Sequence, residues 1–335
     1  MCIRDRDINL DKWYKPKIDN TVLKELSARS DWAGIWHMII FFGALLVSGV
    51  MAYITWGTWW TVLWFFIYGN IFAFSNAIQH ETNHKSFFKS PKLNLIFWHI
   101  SSFMTAFEPI RWKWTHFIHH SATLHTASPY DFEIQVTRPA DVLAFFLKFI
   151  PFGGLLTIHK SFHYVHRETI MHALGIVTPV LEQSVPAKER PRAIFWARVH
   201  VSLWLLTILA SLALHSWLPL LYIILPNFYG GTLLTLCGLT QHAGLAENER
   251  DHRLSTRTVI LNPVLSFLYC HMEYHIEHHM FPAVPCHNLR KLHEAVKDQM
   301  PAPCIGLIGA YQEIIPAVIK QGSDAGYYIR VQVPA

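Results

Sequence analysis

No Asp, Glu, Lys or Arg occurs between Gly34 and Gln79, and none between Val199 and Thr240. A helix crosses the hydrocarbon core of a bilayer in about 20 residues. Each uncharged run is therefore long enough for two crossings joined by a short turn. The turns are expected at Thr55 to Thr58 and at His215 to Pro219. Trp56, Trp59, Trp60 and Trp217 cluster there, as indole rings do at a membrane interface. Composition agrees: 52% of the 335 residues are hydrophobic and only 15% charged, against roughly 25% charged in soluble domains. A soluble protein with two buried helical hairpins is the alternative, and uncharged runs of this length argue against it. The sequence predicts an all-α integral membrane protein with two transmembrane helical hairpins, four crossings in all, and a helical cap.

The basic residues give the orientation. Of 28 Lys and Arg, seven precede the first run, thirteen lie between the runs and eight come after the second; neither expected turn holds one. By the positive-inside tendency, both termini and the central segment face the cytoplasm. The expected organisation is a cytoplasmic segment 1–33, a hairpin 34–79, a cytoplasmic segment 80–198, a hairpin 199–240 and a cytoplasmic segment 241–335. Leu93 to Phe107 and Val142 to Ile158 are shorter apolar runs with charged flanks, expected to lie along the membrane surface or under the cap. The first 32 residues lack the apolar core of a signal peptide, and Met1 to Arg6 look unrelated to the rest of the chain. A net charge of +5, spread along the chain, does not point to nucleic acid. The five cysteines form no CxxC pair, so no iron–sulfur, rubredoxin-type or zinc-ribbon site is encoded.

Histidine is the outlier, at 22 residues. His80-Glu81-Thr82-Asn83-His84 reads HExxH, a pattern that on a helix puts two imidazoles one turn apart, as in zinc peptidases. His116, His119 and His120 form HxxHH, and so do His275, His278 and His279. Positions i, i+3 and i+4 share one helical face, so each HxxHH is expected to aim three imidazoles at one point. His242 lies just past the fourth expected crossing at the depth of His80 and is a ninth candidate. A zinc ion takes about four ligands, and a catalytic zinc about three from protein. Nine imidazoles suit two metals, and imidazole accepts zinc, copper, iron or nickel. A zinc protease would leave both HxxHH clusters idle and would want an acid ligand from a membrane helix, which neither hairpin offers. Glu81 and Glu277 lie between ligand candidates and are read as partners that orient imidazoles, or else as a solvated face. His159, His163 and His166 share a basic, amphipathic stretch and are read as a solvated or lipid-facing stripe. His271 stands one turn before His275, within possible reach of the site. His125 is read as a neighbour, and His37, His200 and His215 as interface residues.

HxxxH, HxxHH and HxxHH on the cytoplasmic side of two membrane hairpins resemble the membrane fatty acid desaturase superfamily, over roughly His80 to Glu294 and within a domain of about 34–300. The resemblance implies a di-iron centre. Its boxes fall on His80 and His84, on His116, His119 and His120, and on His275, His278 and His279, with the additional ligand at His242. RWKWTHFIHH followed by Asp131-Phe132-Glu133-Ile134, and GLAENERDHRLSTRTV before YHIEHHMFPAVP, are similar to a bacterial branch. That branch includes desaturases or oxygenases of rhizobitoxine and rhizopine pathways, which implies a bacterial inner membrane. Acyl-CoA desaturases often carry a longer first box, and an Asn where this chain has Gly238.

The resemblance implies a dioxygen-dependent oxidase that acts on an unactivated C–H bond, with two irons as cofactor and dioxygen as co-substrate. A desaturase acting on a fatty acyl chain is the expected activity. A hydroxylase or ketolase acting on a carotenoid, an alkane or an amino-acid-derived compound is the rival. A metal transporter is a remoter one, since transporters usually bind near the bilayer midplane. Asp131 and Glu133 come soon after box two and are candidates to hold ligand N–H groups, or else belong to a plain loop. With no haem-domain, cysteine or GxGxxG signature in the sequence, electrons are expected from a separate ferredoxin, rubredoxin or cytochrome.

Overall fold

The computed structural model describes residues 13–157 and 163–334. Met1 to Arg6 and His159 lie outside the described residues. Over the described residues the fold is helical apart from one pair of two-residue strands, Val259–Ile260 parallel to Cys304–Ile305. That pair is a small departure from the all-α expectation.

Among the described residues, three helices are long and apolar enough to cross a membrane: Asp31–Ile54, Trp59–Asn83 and Arg190–Ala213. The first is capped by Ser30, whose hydroxyl accepts from the Ala33 N–H. It ends at a turn whose Gly57 sits at φ +85°, a conformation a side chain resists. The second bends at Phe74, where the N–H groups of Phe74 and Ala77 bond three residues back rather than four. Below the bend lies Ser75–Asn83, which carries the first histidine box. Large apolar side chains face outward along these helices, among them Leu46, Val47, Leu206 and Leu209. Trp56, Trp59, Trp60 and Trp217 are exposed at the hairpin ends. Such a continuous apolar collar suits lipid rather than water.

The fourth expected crossing is not one helix. The segment from His215 onward folds as Leu218–Ile223, Pro226–Tyr229 and Thr232–His242. Pro226 has no N–H to continue the first piece, and the Leu225 N–H bonds five residues back to Leu220. The break at Gly230–Gly231 is held by a neighbour. The Asn70 carboxamide oxygen accepts from the Leu233 N–H at 2.9 Å, and its nitrogen donates to the Phe66 carbonyl at 2.9 Å. An orphan donor at the start of Thr232–His242 is thereby satisfied from another helix, as an apolar surrounding demands. The backbones meet closely there: a Cβ on Gly230 would lie 2.1 Å from the Gly69 carbonyl.

Pro91–Met104 packs on the box-one helix, with Leu93 and Phe97 turned to the core and Leu95, Ile96 and Ile100 outward. The second shorter run is helical only over Val142–Leu147, after which comes a tight turn of 3₁₀ helix at Gly153–Thr157. The main core joins the first long helix, the box-one helix and Cys286–Val296 through Phe41, Phe74, Ile78, Phe88, Ile276 and Leu289. The box helices rest on that core.

The Gly69–Gly230 contact makes a direct prediction. Gly230→Ala is expected to lower the unfolding temperature in detergent by several degrees, because overpacking costs about 1–3 kcal/mol. Gly309→Ala, where a methyl group meets nothing within 4 Å, is expected to be neutral or stabilising. Equal unfolding temperatures for the two variants would contradict the close crossing.

Candidate metal centre

The second box lies on Pro109–Ser121. Glu108 caps this helix by accepting from the Ile110 and Arg111 N–H groups, and Pro109 opens it. The third box lies on His275–Met280, and His242 is the last residue of Thr232–His242. These elements and the box-one helix bring all nine candidate imidazoles together in two groups. One holds His80, His84, His116, His120 and His278; the other holds His119, His242, His275 and His279. Within each group the nearest ligand atoms lie within 4.8 Å of one another.

Each HxxHH divides between the two groups rather than aiming at one point. His116 and His120 join the first group and His119 the second. In the third box His275 and His279 join the second group and His278 the first. The reason is the pitch of the helix. Residues i and i+4 are offset by about 40° around the axis and i+3 by about 60° the other way. Two imidazoles therefore lean to one side and the third to the other. The two boxes share their imidazoles in opposite senses.

The outer ring nitrogens of six of the nine are engaged by protein, while His120 Nδ1 and His278 Nδ1 are buried without a hydrogen-bond partner. His242 Nδ1–H donates to the Ser255 carbonyl at 2.8 Å. Thr123 gives its hydroxyl proton to the His119 carbonyl at 2.5 Å, so its oxygen accepts from His279 Nδ1–H at 3.3 Å. His119 Nδ1–H donates to Asp131 at 2.8 Å, His116 Nδ1–H to Glu133 at 3.1 Å and His80 Nδ1–H to Glu81 at 3.3 Å. The Gln241 carboxamide nitrogen faces His275 Nδ1 at 3.1 Å and donates to it. On the five rings that donate through Nδ1, the lone pair lies on Nε2, directed inward. The inner nitrogens then face each other closely: His84 and His116 at 2.9 Å, His116 and His120 at 3.0 Å, His242 and His275 at 3.1 Å. The His80 Nε2 atom is buried with no protein partner. Opposed lone pairs at such distances repel unless a cation lies among them. The donor set thus fits a pair of metal ions held by neutral imidazole.

Electrostatics point the same way. Burial holds His116, His120, His275, His278 and His279 well below the ordinary imidazole range, keeping them in the neutral form a metal requires. His119 differs: burial alone would depress it, but the Asp131 carboxylate and its hydrogen bond carry it up to about 9. Burial works to raise Asp131, yet His119 and the N–H groups of Glu133 and Leu124 hold it below the usual carboxylate range. Burial pushes Glu133 up to about 7.

Other sequence candidates lie elsewhere. Glu277 binds the His293 ring at 2.6 Å and the Thr258 hydroxyl at 2.7 Å, and no imidazole of either group. It stands two residues from His275, on the far side of the helix. His271 bonds Ser266 at 2.9 Å, and His125 bonds the Thr123 carbonyl at 3.2 Å. His166 packs against Trp204 and Phe228, and His200 is buried rather than interfacial. Sequence reasoning missed Gln241, Thr123 and Ser255, although Gln241 adjoins His242. It also missed His252, whose ring lies 4.8 Å from that of His279 and stacks on Trp13; its short helix carries no signal.

His80, His116, His119 and His275 also line a cavity of ≈ 600 Å³, within the range of small-molecule sites. The cavity extends to the helix break at Phe228 and Gly231 and is walled by Ala77, Phe145, Leu234 and Met272.

A family model described as fatty acid desaturase matches residues 54–309. The chain is also similar to a Delta(6)-fatty-acid desaturase of Caenorhabditis elegans, at 25% identity over 251 residues, 66% of this chain and 54% of the relative. It therefore spans about half the length of that curated relative. With the family model running from before the first histidine box to beyond the third, the chain belongs to the fatty acid desaturase family.

Proposed function

We propose that this chain is a membrane di-iron, dioxygen-dependent desaturase that introduces a double bond into a fatty acyl chain. The observation that carries the reading is the meeting of two imidazole groups with one cavity. His80, His84, His116, His120 and His278 would hold one iron, and His119, His242, His275 and His279 the other. Two bound irons supply the activation of dioxygen and the removal of hydrogen from an unactivated C–H bond.

The chain's own residues do the rest. Asp131, Glu133 and Glu81 hold ring N–H groups and so fix the direction of each Nε2. Trp112 stacks on His116 at 4.4 Å and restrains that ring. The apolar walls at Ala77, Phe145 and Met272 keep water from the reacting carbon and set its distance from the metals. Electrons would come from a separate ferredoxin, rubredoxin or cytochrome.

The test supplies ferredoxin, its reductase and isotopically labelled dioxygen to the purified chain in lipid. A product lighter by two hydrogens and free of label is expected. A product carrying labelled oxygen would replace desaturation by hydroxylation. His119→Ala and His278→Ala are expected to abolish turnover and lower iron content. Asp131→Asn is expected to weaken iron binding about 10- to 100-fold. His166→Ala should retain its iron; loss equal to that of His119→Ala would contradict the assignment.

Both termini and the metal centre would face the cytoplasm, a reading supported by the distribution of the 28 Lys and Arg residues. In a cysteine-free background, Thr58→Cys is expected to label from outside the cell, and Ser121→Cys only from within. External labelling at Ser121 would overturn the orientation.

A further inference from the structure

Gly238 stands one turn before His242, in the interior of Thr232–His242. Its backbone is ordinary right-handed helix, where glycine is a poor choice on conformational grounds. Its value there is space. A Cβ at this position would lie 3.4 Å from the Gln135 amide nitrogen and 3.9 Å from the Tyr269 hydroxyl oxygen. Any side chain longer than alanine would fill the gap that these two groups border.

Both groups line the cavity. Tyr269 is only 3% exposed, and its ring is held edge-on to Phe74 at 6.0 Å. Among the described residues no protein group hydrogen-bonds its hydroxyl. The Gln135 carboxamide likewise makes no hydrogen bond to the described residues. A buried phenol normally finds a partner. Thr235 and Gln241 add polar atoms to the same stretch of wall. One turn of helix is about 6 Å, so this polar stretch sits close to the His242 imidazole. A cavity serving unsubstituted hydrocarbon alone would leave the buried Tyr269 phenol without a partner, while the Gln135 carboxamide, on an exposed residue, reaches the same stretch of wall.

We propose that the Tyr269 hydroxyl and the Gln135 carboxamide are a recognition pair. They would bind a hydroxyl, ether or amide group on the substrate chain, close to the carbon that is oxidised. The proposal rests on reading the imidazole groups as the metal centre. It narrows the substrate from any acyl chain to one bearing an oxygen or nitrogen near its reactive position. Gly238 is then the residue that leaves room for that group.

The test measures displacement of a fluorescent fatty acid from the purified protein in detergent. The probes are octadecanoic acid and its monohydroxy isomers, with the hydroxyl near the carboxyl end, at mid-chain or near the methyl end. At least one isomer is expected to bind about tenfold more tightly than the unsubstituted acid, the effect of pairing the buried Tyr269 hydroxyl. Tyr269→Phe is expected to abolish most of that preference and Gln135→Leu to reduce it by a smaller factor, while both retain wild-type iron, which shows them folded. Gly238→Leu should block the preferred isomer. Wild-type protein that binds the unsubstituted acid as tightly as every isomer overturns the proposal. So does an unchanged preference in both apolar variants. Either result with two irons in place leaves the metal centre standing; a chain that never holds iron overturns that earlier reading instead.

Discussion

Nine imidazoles cannot share a buried interior without a reason. Their inner nitrogens approach to about 3 Å, as at His116 and His120, where neutral rings present lone pairs to one another. Each buried nitrogen left unsatisfied costs about 1–3 kcal/mol, and a domain's whole stability is about 5–15 kcal/mol. Even the few such nitrogens here, His80 Nε2, His120 Nδ1 and His278 Nδ1, make a cost that is a sizeable share of that net stability. Metal binding would turn that cost into a gain, so metal affinity and stability are linked here. The outward hydrogen bonds of His119, His116, His242 and His279 impose the inward direction. The rest of the fold serves to hold those partners still.

The broken limb after His215 shows how the membrane part contributes. The segment borders the cavity that the imidazole groups also line. The breaks at Pro226 and at Gly230–Gly231 bend the chain around the cavity. Gly69 admits the close approach, and Asn70 satisfies the freed Leu233 N–H. Irregular backbone among apolar helices is tolerable only where it is packed against protein or lines a cavity. Both conditions are met at this break, which places Thr232, Leu234, Thr235 and Gly238 on the cavity wall.

Much of this was legible in the sequence because it is local. Absence of charge over a long run marks the three long apolar helices, and histidine spacing marks the boxes. The division of each box needed the partner boxes in view: spacing puts three rings on one face but does not say that two imidazole groups straddle it. The fourth limb misled because freedom from charge reports an apolar setting, not helical continuity, and Pro226 was the available warning. Glu277 was placed beside its neighbours in sequence, though two residues along a helix point it away, toward His293. Gln135, Tyr269 and Gly238 are distant in the chain, and only folding brings them to one wall. His252 reaches the second group through a four-residue helix with no pattern to betray it.

If each imidazole group holds one iron, anomalous diffraction at the iron absorption edge, from crystals of the iron-loaded protein, will show it. Two peaks of similar height are predicted. One should fall among His80, His84, His116, His120 and His278, and the other among His119, His242, His275 and His279. A single peak, or iron outside both groups, would contradict the account.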